Sequence, residues 1–154
     1  MSLRFAGYAA LFGKRDAVHD AIRPGAFART LGGRSERLPL YWQHRPAQRI
    51  GWIEHVREDG RGLRVIATLD RDDGVAAMAL KRRAVTGLSF GYRARLASPT
   101  PEGRDLIAID LIEVSLVTHP LQHRARVHWI SPVDPGSTRV RFRHDATSRL
   151  ADPP

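Results

Sequence analysis

The sequence contains no cysteine. Disulfides, thiolate zinc sites and a cysteine nucleophile are therefore excluded, and a reducing intracellular setting is compatible with the composition. Long apolar runs are also missing. No stretch approaches the roughly 20 residues of a membrane span. The N-terminal MSLRFAGYAALFGKRD is broken at Gly7 and lacks a long apolar region, so it reads as a strand rather than a signal peptide, and a soluble protein is expected. Internal repeats are absent. No phosphate loop is present, because no Gly-Lys-Ser/Thr follows Gly87 or Gly91. Acidic residues are fewer than basic ones, and the net charge is +9. The arginines are scattered apart from short clusters at Lys81-Arg82-Arg83 and between Arg139 and Arg143. No helix-turn-helix, finger or aromatic platform accompanies them, so a solvated basic surface is expected rather than direct nucleic-acid binding.

What remains is an ordinary globular composition, 42% apolar and 27% charged. Its 154 residues suffice for one cored domain. Strands are expected at Arg4 to Leu11, Leu38 to Gln43, Ile50 to Val56, Gly62 to Leu69, Val85 to Leu96 and Leu106 to Thr118. The fourth alternates Leu63, Val65, Ala67 and Leu69 on one face, and Glu58-Asp59-Gly60 hairpins it to the third. Ala26 to Leu31, between Pro24-Gly25 and Gly32-Gly33, predicts a short helix. Asp72 to Arg83 predicts a second, capped by Asp72 or Asp73, with Val75, Met78, Ala79 and Arg82 on one face. Gly13 to Ile22 reads as loop, and Leu121 to Trp129 as a final helix or turn. Residues 131–154, rich in Pro, Ser, Asp and Arg, read as a flexible C-terminal tail after a domain spanning 1–130. The sum is an α+β fold, a mainly antiparallel barrel or sandwich with a few helices.

Three polar residues interrupt segments that should otherwise pack. His44 ends Leu40-Tyr41-Trp42-Gln43-His44, Ser89 lies within Gly87-Leu88-Ser89-Phe90-Gly91, and Glu113 sits in Ile112-Glu113-Val114-Ser115-Leu116. A serine nucleophile needs a base within hydrogen-bond reach and a third group to orient that base. Histidine titrates near neutrality and suits the second role. The glycines around Ser89 would let a substrate backbone approach. Gly87-x-Ser89-x-Gly91 also matches the hydrolase elbow in letters, but Phe90 to Leu96 reads as continuing strand where the elbow needs a helix. Asp110 competes with Glu113 as the acid, and Ser115 shares the face of Glu113 as a packing or supporting residue. His119, His123 and His128 do not make a convincing metal set, since Pro120 breaks their spacing and no carboxylates accompany them. His19 and His55 have no assignable role.

Five segments in one order resemble the prohead proteases of tailed phages. They are Gly7-Tyr8-Ala9 with Leu11-Phe12, Pro24-Gly25-Ala26-Phe27, Trp42-Gln43-His44, Gly87 to Tyr92, and Glu113-Val114-Ser115-Leu116-Val117-Thr118-His119-Pro120. That family is similar in fold to assemblin, the herpesvirus capsid maturation protease, and the resemblance covers about residues 4 to 128. It implies an assemblin-like fold and a serine endopeptidase with Ser89 as nucleophile, His44 as base and Glu113 as third member, where assemblins use a second histidine. It implies as partners the major capsid protein and its scaffolding segment, with self-cleavage, a homodimer, no cofactor, and a location in the bacterial cytoplasm inside assembling proheads. A copy serving a gene transfer agent fits equally. His119 departs from the apolar residue common before Pro120. The alternative on the same fold is a catalytically silent capsid-assembly scaffold protein.

Overall fold

The computed structural model describes residues 2–133. Strand β1 (Ser2–Leu11) pairs antiparallel with β5 (Gly62–Leu69) on one side and β8 (Val127–Val133) on the other. On β1 the buried Leu3 and Phe5 point inward while Arg4 faces out, the two-residue period of a half-buried strand. Strand β4 (Arg45–Glu58) joins β5 through the predicted turn, where Asp59 Oδ1 accepts the N–H groups of Arg61 (2.8 Å) and Gly62 (3.1 Å). Strand β3 (Pro39–Trp42) pairs antiparallel with β4 and parallel with β7 (Gly103–Val117). Strand β6 (Gly87–Thr100) runs antiparallel along the other edge of β7.

The pairing path β2-β7-β3-β4-β5-β1-β8, with β6 beside β7, is open rather than a closed ring. Five of its seven pairings are antiparallel. Isolated bridges join Gly87 of β6 to Arg126, just before β8, and Phe12, just after β1, to Ile22 of β2. One continuous core of side chains from β1, β4, β5, β6 and β7 fills the interior.

Four expectations are corrected. Asp20–Ile22, read as loop, is a short strand, β2, parallel to β7, because Asp20 is buried against Arg104 and Tyr92. The second helix, α2 (Val75–Lys81), starts at Gly74 with no side-chain cap, and its buried face is Ala76, Ala77 and Leu80, leaving Val75 exposed. Residues 127 to 129, expected in a final helix or turn, belong to β8, because their backbone pairs with β1. The strand continues through Ser131, Pro132 and Val133, so these three pair with β1, and the rest of the expected tail lies outside the described residues. The first helix, α1 (Ala28–Gly32), falls where Pro24-Gly25 and Gly33 bracket it. No helix among the described residues is long and apolar enough to cross a membrane.

Candidate active site

The site is assembled on β7. In the β6–β7 register Ser89 lies opposite Ser115, and Gly91 opposite Glu113. Paired residues on neighbouring strands point to the same side, so these four share one face. On the other edge of β7, parallel β3 sets Tyr41 beside Ser115 and Trp42 beside Leu116. The chain then reverses in two residues, since Trp42 pairs with Arg45. Gln43 and His44 are that turn, with φ of 53° and 59°. Two central residues with positive φ match the right-handed twist of the flanking strands, and Asn-Gly is the usual sequence. Two side chains bearing Cβ in this region cost on the order of 1 kcal/mol each, so the surroundings must hold them there. Pro46 falls in the bulge that follows, where β4 has no ladder partner to satisfy.

The turn delivers His44 to Glu113. The Nδ1 of His44 hydrogen-bonds Glu113 Oε1. Glu113 Oε2 accepts from Ser115 Oγ at 2.5 Å, and that same oxygen of Ser115 accepts the His44 backbone N–H at 3.2 Å. The Glu113 side chain is 8% exposed and that of His44 41%. A carboxylate can only accept, so the Nδ1 proton is directed at Glu113 and Nε2 is left free to take a proton. Ser89 is buried, on the strand beside Glu113, and makes no hydrogen bond to His44. The structure thus joins His44 with Glu113 and sets Ser89 across the β6–β7 ladder from Ser115, whose hydroxyl bonds both.

Asp110, the rival acid, faces away from this cluster and hydrogen-bonds Arg95. The glycines around Ser89 also make room within the fold. A Cβ at Gly91 would meet Glu113 Oε1 at 2.6 Å, and one at Gly87 would meet Val117 O at 2.5 Å and Pro120 Cδ at 2.8 Å. They admit the acid and the chain after β7. The strand β6 runs on past Gly91, so the elbow geometry is absent. His123 contacts Arg126, His128 stacks on Tyr8, and His119 is exposed. Among the described residues no three of His, Asp and Glu form a group that could hold a metal ion. Sequence reasoning passed over Thr118, which accepts from Gln43 Nε2 at 2.7 Å; the only signal was its place in the segment that opens with Glu113.

A family model described as the caudovirus prohead serine protease matches residues 1–135. Among solved structures the chain is similar to the varicella-zoster virus protease, with a TM-score of 0.58 and 16% identity over 86% of this chain and 65% of that one. It is also similar to the Kaposi's sarcoma-associated herpesvirus protease in complex with a hexapeptide phosphonate inhibitor, with a TM-score of 0.56 and 14% identity over 86% and 66%. The same herpesvirus protease in complex with a dimer disruptor gives 0.54 and 14% over 84% and 76%. At these identities the likeness is one of fold, and the chain spans just under two thirds of the first two. No curated protein matches the sequence.

Proposed function

The chain belongs to the caudovirus prohead serine protease family, and from that premise we propose that it is a serine endopeptidase of capsid maturation working through Ser89, His44 and Glu113. The observation that carries this reading is the hydrogen bond from His44 Nδ1 to the buried Glu113, on the strand paired with that of Ser89. In the proposed reaction Ser89 Oγ attacks the peptide carbonyl and passes its proton to His44 Nε2. The tetrahedral intermediate collapses as His44 returns the proton to the departing amine. Water, deprotonated by the same nitrogen, then attacks the acyl carbonyl, and the acyl–oxygen bond breaks as His44 returns that proton to Ser89 Oγ. Glu113 holds the ring and stabilises the imidazolium. Hydrogen bonds of this kind often close only when substrate arrives, which accommodates the unbonded Ser89.

The substrates in this reading are the scaffolding segment of the major capsid protein and the chain itself, with the part of the expected tail beyond β8, residues 134–154, as a self-cleavage segment. The working form is a homodimer inside the assembling prohead of a phage or a gene transfer agent. One observation favours a second reading, a catalytically silent assembly protein: Ser89 and His44 are not bonded. Co-expression with the capsid protein, followed by intact-mass spectrometry, separates the two. The protease reading expects cleavage products that vanish in Ser89→Ala and His44→Ala, with a fluorophosphonate label on Ser89. Glu113→Gln should lower kcat by about 10²–10⁴-fold, whereas Asp110→Asn should leave it unchanged. Normal maturation with Ser89→Ala would establish the silent protein instead.

A further inference from the structure

We infer that Gln43 is a positioning residue: its side chain staples the left-handed turn to the end of β7 and thereby sets where His44 presents its imidazole. The inference rests on the catalytic reading above for its consequence, but its geometry stands apart. Gln43 and His44 both carry positive φ without being glycine or asparagine, so local preference opposes the turn. Three contacts hold it. The backbone N–H of Gln43 donates to Leu116 O at 2.9 Å. Its side-chain amide makes a reciprocal pair with Thr118, Nε2 donating to Oγ1 at 2.7 Å and Oε1 accepting the Thr118 N–H at 3.1 Å. The N–H of His44 donates to Ser115 Oγ at 3.2 Å. All three partners belong to β7 or the residue after it, the element that carries Glu113. Two residues further on, Pro120 packs where Gly87 lacks a Cβ, close to the backbone of the Ser89 strand. The staple therefore ties the turn of the base to a segment in contact with both other strands of the site.

A glutamine reaches Thr118 from this turn, and an asparagine, one methylene shorter, does not. Asparagine also tolerates positive φ better. Gln43→Asn thus relieves the backbone while cutting the staple, which separates the two roles the residue could have. The expected result is an unchanged melting temperature with kcat lowered by about 10- to 100-fold, the cost of a base displaced by about 1 Å, and KM little altered. The Nδ1–H proton resonance of His44, read by NMR on the free protein, should shift or broaden. Thr118→Val should act in the same direction, and Thr118→Ser, which keeps the hydroxyl, should restore both readouts. Wild-type kcat together with an unmoved His44 resonance in Gln43→Asn and Thr118→Val overturns the inference. The resonance needs no substrate and reads the staple even where Ser89 is inert. A wild-type Ser89 that never takes the fluorophosphonate label counts against the protease reading alone.

Discussion

Gly87 and Gly91 flank one serine, yet the same substitution should act through different contacts at the two. At Gly91 a methyl group would strike Glu113 at Oε1, Cγ and Cδ, the buried side chain that His44 and Ser115 hold. Gly91→Ala should therefore lose activity as Glu113 leaves His44, and the displaced buried carboxylate should also cost about 1–3 kcal/mol in stability. At Gly87 the methyl group would strike Val117 O and the Pro120 ring, which cannot swing. Gly87→Ala should cost about 1–3 kcal/mol in stability. Melting temperature and kcat measured on both variants check this, and wild-type kcat in Gly91→Ala would refute the assignment of that glycine. His44, Ser89 and Glu113 were legible as polar breaks in apolar runs. The purpose of the glycines was not, because what a missing Cβ makes room for is a residue remote in the chain.

Strand β7 organises the site because it is paired on both edges along the segment that carries Glu113 and Ser115. Its N-terminal half is braced by β2, whose Asp20 takes hydrogen bonds from Arg104 (2.9 and 3.1 Å) and from the Tyr92 hydroxyl (3.2 Å). The guanidinium of Arg104 holds the Asp20 carboxyl below its ordinary range, outweighing burial. A depressed carboxyl pKa stabilises the fold above the unfolded value of about 3.9, and the gain is lost as pH falls through the folded value. Asp20→Asn should thus cost about 1–2 kcal/mol at neutral pH, and the gap to wild type should narrow below about pH 4. Thermal melts across that range test it, and a gap independent of pH would exclude the ion pair as the cause. Alternation and the Glu58 to Gly60 turn made β4 and β5 readable, and apolar runs made β6 and β7 so. Strand β2 escaped because three residues carry no period, and β8 because only β1 beside it makes those residues a strand.

Across the whole molecule one set of buried side chains runs from β1 to β7 and takes in Leu80 of α2. With no separate core to unfold independently, the described residues should melt in a single transition. Tryptophan fluorescence from Trp42, Trp52 and Trp129, on β3, β4 and β8, should coincide with the loss of strand signal in circular dichroism. Two resolved transitions would contradict a single cooperative core. The sequence by itself determined the absence of cysteine chemistry, the strand-rich character, the resemblance to prohead proteases and the three polar residues of the candidate site. These are encoded in composition, in a two-residue period and in ordered local motifs. Only the tertiary structure decided which acid meets His44, what the glycines accommodate, and that the base stands on a left-handed turn. Each depends on the register of β7 against β3 and β6, and register is fixed by packing between segments far apart in the chain.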